Sequence, residues 1–175
     1  VCVCINIYIR TLHMGEERDC MINDQPDIKK LPSKDSPLEF SVLMLMQASA
    51  TQVPPDDEDL IEYLNLLRES ILEAYVGIIQ GLKDGNILGD FIAYVPSILQ
   101  FLQIIADDPN RDSYVLNKAV GLLGDLAQTM GPQIKNDINK QFAQKLVSDA
   151  MSSGDSSLVE VASWASHLLN QAGQT

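Results

Sequence analysis

Basic residues are scarce in this chain. Lys and Arg number 12 against 24 Asp and Glu, a formal charge of −12 over 175 residues. So few cations leave little to neutralise phosphates, which argues against nucleic-acid binding and against an anionic membrane surface. The balance favours basic partners, whose approach the field steers. Cysteine is scarce too: Cys2, Cys4 and Cys20 all lie in the first 20 residues. An odd number without a paired framework suits a reducing compartment. Cys-x-Cys with only His13 nearby lacks the ligands of a zinc site, so no metal or other cofactor is expected. No apolar run reaches the ~18 residues of a membrane span. The apolar start, Val1 to Ile9, has no basic region before it and no small-residue cleavage site, so it makes a poor signal peptide. A glycine-rich phosphate loop, a nucleophile elbow and a His placed to activate a Ser are also missing. Catalysis is therefore not expected.

What is present is helical pattern. Hydrophobic residues make up 46% of the chain, enough for a substantial core. The most informative stretch is Asp59 to Lys83. Leu60, Leu64, Leu67, Ile71, Tyr75, Ile78 and Leu82 recur at steps of three and four, on one side of a helix. Glu62, Leu66, Glu69, Glu73, Gly77 and Gln80 recur at the same steps about 160° away, at ~100° per residue. The first stripe requires burial. The second faces outward and contains three carboxylates and no base. Residues 56–84 hold eight acids and two bases, half of the chain's net charge.

The remaining segments alternate in the same way. Residues 1–37 show no helical period and three prolines, Pro26, Pro32 and Pro37, and read as irregular, disordered or non-native sequence. The chain starts on Val, which reads as a fragment or an incomplete gene model. From residue 38 the pattern predicts helices over 38–50, 58–83, 90–106, 113–130, 133–151 and 157–171. Pro96 should kink or divide the third, and Gly131-Pro132 should end the fourth and start the fifth. Asp56 or Asp57, Asp112 or Ser113, and Asp155 or Ser156 are the expected caps. Short turns between helices of this length predict an all-α fold, an α-solenoid of about three antiparallel pairs over residues 38–175. The second helix of each pair carries an extra outward stripe: Glu62–Glu69–Glu73, then Lys118, Gly121, Asp125 and Gln128, then Glu160, Trp164, His167 and Gln171.

These stripes supply the candidate binding residues: Glu62, Glu69, Glu73, Asp125, Glu160 and Trp164. An acidic stripe is commonly a solvated face. Here it has no compensating base four residues on, so the like charges cost the helix a few tenths of a kcal/mol per pair. Trp164 lies about 100° from the centre of its helix's apolar face. It has two readings: packing at the core margin, or stacking on a partner's Arg or Lys for ~0.5–2 kcal/mol. Gly121 and Gly124 inside one helix cost roughly 1 kcal/mol each against alanine. Close helix approach is one reason to keep them, and room for a ligand's backbone is another.

YLNLLRESILEAYVGIIQGLKD, VGLLGDLAQTMG and VASWASHLLNQA, in that order, resemble the last HEAT repeats of the importin beta family. The likeness spans roughly residues 38–172 and leaves out 1–37. It implies a carrier of proteins into the nucleus, found in the cytoplasm, in the nucleus and at the nuclear pore. It further implies that the second helices bind the basic importin-beta-binding helix of importin alpha, or basic cargo. In that likeness Trp164 matches the tryptophan that stacks on a basic side chain, Asp125 the acid of the GDL segment, and Glu73 that of LEAY. Glu62, Glu69 and Glu160 extend the set by geometry. The family's contacts with Ran and most nucleoporins belong to repeats nearer its N-terminus, outside the matched segment. The alternative is a structural scaffold whose partner packs on the outer surface or on the apolar solenoid end near residues 38–50.

Overall fold

A computed structural model of the chain describes residues 37–54, 57–84, 88–138 and 140–174. The expectations for residues 1–36, including the cysteines and His13, lie outside these. The described residues form six α-helices and one 3-10 helix and contain no strand. They are α1 (Pro37–Ser49), α2 (Glu58–Asp84), the 3-10 helix (Leu88–Tyr94), α3 (Val95–Asp107), α4 (Ser113–Ile138), α5 (Gln141–Met151) and α6 (Ser156–Gln174).

The helices pair as α1/α2, α3/α4 and α5/α6 and stack in two layers, α1–α3–α5 and α2–α4–α6. The fold is the expected all-α solenoid. Its element starts follow local chemistry. The Oδ1 atoms of Asp57, Asp112 and Asp155 accept the backbone N–H groups of Leu60 (3.1 Å), Val115 (2.7 Å) and Ser157 (2.8 Å). Each aspartate so satisfies a donor that a first helical turn leaves unpaired. Pro96 sits in the first turn of α3, where its missing N–H costs nothing, and the 3-10 helix precedes it. The 90–106 segment is thus divided.

Gly131-Pro132 breaks nothing. The helix runs on through Pro132 to Ile138, and the break falls at 139–140 instead. A proline inside a helix costs about 3 kcal/mol. Beyond it Ile134 and Ile138 are fully buried, and burying each contributes about 1.5–3 kcal/mol, so the extra turn and a half is favoured. Pro132 and Gln128, whose carbonyl loses its helical partner, are both exposed.

The buried arc of α2 also differs from the periodic stripe. Leu60 is 39% exposed, whereas Leu72 and Ile79 are buried. The helix packs on α1 and α4 at once, so its apolar arc is wider than one stripe and turned toward α4. Within that arc lie two polar residues, Asn65 and Arg68. Arg68 Nη1 donates to Asp108 Oδ2 at 2.5 Å, and Asn65 Nδ2 donates to the Asn110 carbonyl at 3.0 Å. Both partners lie in the α3–α4 turn. The next pair repeats the device. Arg111 donates to the carbonyls at the end of α3 and bonds Asp149 of α5, while Lys145 of α5 meets Asp107 at 3.3 Å. These bonds tie each pair to the next at one end of the helices and fix the register of the second-helix layer.

Candidate partner-binding face

The outward stripes of α2, α4 and α6 lie side by side on the face of the second layer that points away from α1, α3 and α5. The three helices run parallel, so residues on neighbouring helices form rungs. Lys118 Nζ meets Glu73 Oε1 at 2.5 Å, a contact between exposed groups of neighbouring helices. The acidic stripe therefore has a counter-ion after all, supplied by the next helix rather than by i+4. An exposed pair of this kind contributes about 0–1 kcal/mol, so Glu73 stays available to a stronger cation. Lys83 plays the same part more loosely, acting on Asp125 through space.

Asp125 is half-buried. Burial pushes its carboxyl above the usual range, and the Lys83 charge offsets part of that rise. Its folded-state pKa lies above its unfolded one, so its contribution to stability is present in acid and is lost as pH rises through the folded value. At neutral pH the ionised Asp125 is a penalty. Asp125→Asn should be at least as stable as the parent at pH 7, with the difference vanishing near pH 3. Urea unfolding at the two pH values measures this, and a variant less stable at pH 7 would contradict the assignment. A cation brought by a partner would relieve the same penalty.

Trp164 is 39% exposed and its ring lies across the backbone of Gly124. A Cβ at position 124 would overlap the ring, at 2.8 Å from Cη2 and 2.9 Å from Cε3. Part of the ring therefore packs on α4 at the core margin and the rest is open to solvent. The same helix pair closes again at Gly131, where a Cβ would lie 2.7 Å from the Ala172 Cβ. Close helix approach explains Gly124 and Gly131. Gly121 meets open space.

The structure pairs Glu73 with Lys118 and seats Trp164 on Gly124, the residue before Asp125 in α4. Glu69 is half-buried on the α4 side of its stripe, while Glu62 and Glu160 are exposed at the margins. His167 is exposed and bonds Gln171 at 2.9 Å. No group of three metal-ligating side chains occurs among the described residues. A cleft of about 440 Å³ lies instead at the loop end between Asp107, Arg111, Lys145 and Asp149, whose charges already pair with one another. Sequence reasoning missed those Arg–Asp ties. The one signal for them was a charged residue, Arg68, inside an otherwise apolar arc.

Comparison with known proteins agrees with this geometry. The family model described as "Importin subunit beta-1-like, TPR repeats" matches residues 35–154, most of the chain. The chain belongs to the importin beta family. That family consists of nuclear transport receptors. The chain is 39% identical over 137 residues to importin subunit beta-1 of Arabidopsis thaliana, covering 76% of this chain and 16% of that relative. Against importin subunit beta-1 of Schizosaccharomyces pombe it is 35% identical over 134 residues, covering 73% of this chain and 15% of the relative. A crystal structure of importin beta in an ammonium sulfate condition superposes with a TM-score of 0.74 at 28% identity, over 78% of this chain and 16% of that one. The yeast importin-beta structure gives 0.68 at 25% identity, over 79% of this chain and 16% of that one. The chain thus spans about a sixth of the length of the importin beta relatives it matches.

Proposed function

We propose that residues 38–175 are a binding unit of a nuclear import receptor, with residues 1–37 outside that unit. Its second-helix face takes a basic helix, that of importin alpha or of basic cargo, in cytoplasm and nucleus including the nuclear pore. The observation that carries this reading is Trp164: its ring is held on Gly124 and partly open to solvent, on a face whose next residue along α4, Asp125, is a half-buried carboxylate. Cations of a basic helix would stack on the exposed ring and relieve the Asp125 charge that the fold alone leaves partly desolvated. Glu62, Glu69, Glu73 and Glu160 surround that point and steer the approach. The face offers binding and no catalytic group.

Titration of the 175-residue chain with an Arg-rich helical peptide, at low and moderate salt, tests the proposal. The wild type should bind, more weakly as salt rises. The double variant Trp164→Ala, Glu73→Lys should lose about tenfold or more in affinity, since a cation–π contact of up to ~2 kcal/mol is removed and an acid becomes a base. No binding by wild type, or equal binding by the variant, would sink it.

A further inference from the structure

The reading above asks only for cations in the partner. The face also carries apolar groups that no charge argument uses. Among the described residues the exposed large apolar side chains are Leu60, Tyr63, Leu66, Tyr114, Met151 and Trp164. Such residues scattered singly need no explanation. Three of these, Leu66, Tyr114 and Trp164, are not scattered: they fall on the outward stripes of α2, α4 and α6. Leu66, 58% exposed, sits between Glu62 and Glu69. Tyr114, 70% exposed, extends the stripe of Lys118, Gly121, Asp125 and Gln128 one turn toward the start of α4.

One rung locates them relative to each other. Lys118 of α4 bonds Glu73 of α2, 45 residues apart. On parallel helices Tyr114 is therefore level with Glu69, and Leu66 lies about 4–5 Å back along α2, less than one turn. Leu66 and Tyr114 so make one apolar spot near the start of the face. Trp164 on Gly124 makes a second, about 16 Å along α4. Acids flank both: Glu62, Glu69 and Glu73 at the first, Asp125 at the second. A partner helix bearing only Arg and Lys would leave the first spot in water.

We propose that the helix this face takes is amphipathic, with a large aliphatic or aromatic side chain that seats on Leu66 and Tyr114, about three turns from the cation that meets Asp125 and Trp164. The inference rests on the reading of the face as a basic-helix site. The two kinds of contact do different work. Charges raise the rate of encounter and make binding salt-dependent, whereas the apolar seat slows release and is insensitive to salt.

Two synthetic helical peptides of equal charge test it against the full chain by calorimetry at two salt concentrations. One alternates Arg and Leu along a single face, and the other has each Leu replaced by Gln. The wild type should bind the Leu peptide about tenfold more tightly. Tyr114→Ser and Leu66→Ser should each remove most of that advantage and leave the Gln peptide's affinity and salt slope unchanged. Both positions are exposed, and circular dichroism checks that the variants fold. Equal affinity of wild type for the two peptides, or variants that weaken both alike, would overturn the inference and leave the basic-helix reading standing. If neither peptide binds the wild type, that reading fails and the inference with it.

Discussion

Gly124→Ala should shift the tryptophan emission to the red and weaken binding of an Arg-rich helical peptide about tenfold, with little change in melting temperature. Trp164 is the chain's single tryptophan, so its fluorescence reports this site alone. The new Cβ would overlap the ring, so something must move. The backbone at 124 is held by buried Leu123 and Leu126 on the same helix, whereas Trp164 is the outer end of a side chain already 39% exposed. The ring therefore yields and swings into water. Loss of its packing on α4 costs stability, but alanine gains about 1 kcal/mol over glycine in a helix interior, and the two nearly cancel. The binding effect does not cancel, because the cation–π platform is no longer held on α4. Gly121→Ala is the matched control. Its Cβ meets open space, so that variant should gain stability with no change in emission. An unchanged emission maximum in Gly124→Ala would contradict the seat assigned to Trp164.

Arg68→Met should lower stability by about 2–3 kcal/mol, or roughly 5–10 °C in melting temperature. Arg68 is only 5% exposed and its guanidinium meets Asp108 at 2.5 Å. Methionine keeps the stem's packing and removes the charge. Asp108, itself 19% exposed, would then keep the Asn110 N–H, at 2.8 Å, but lose its Arg68 partner. Burial acts to raise the Asp108 carboxyl. The Arg68 and Asn110 hydrogen bonds and the Arg68 and Arg111 charges outweigh that, and hold it below its ordinary value of 3.8. A depressed folded-state pKa means stability that is present above pH 4 and lost as pH falls through the folded value. The wild type should therefore lose this contribution in acid, and Arg68→Met should show a flatter acid limb. Arg68→Met, Asp108→Leu should recover part of the loss, because removing both charges leaves none uncompensated. Equal melting temperatures for wild type and Arg68→Met would show that the tie carries no weight.

Helix count, pairing and caps were legible because each has a local cause. Asp57, Asp112 and Asp155 stand where short polar side chains close a first turn, and each does so. The apolar residues of α4 recur with helical period from Val115 to Met130, and the buried arc also takes in Val120 and Ala127, because the helix is covered from both sides. Pro132 was misread because a local rule met a tertiary override: two isoleucines beyond it had a core to enter. In the candidate face the outward stripes were legible and the couplings between them were not. Lys118 stood on the α4 stripe, but nothing local marks it as the partner of Glu73, 45 residues away. The dual state of Trp164 was equally hidden, since its wheel position placed it at the margin of the apolar face and only α4 decides what lies across that margin.

By itself, then, the order of residues determined that this chain is all-helical, that its helices alternate in pairs, and that the second helix of each pair has a polar outer stripe rich in acid. Period, caps and charge are properties of single segments, and a segment carries them wherever it goes. Only the tertiary structure decided how those stripes meet. The parallel stacking of α2, α4 and α6 puts Lys118 on Glu73, lays Trp164 on Gly124, and brings Gly131 against Ala172. Each of these joins residues about 40 or more apart in the chain, through space that exists only once the pairs have packed.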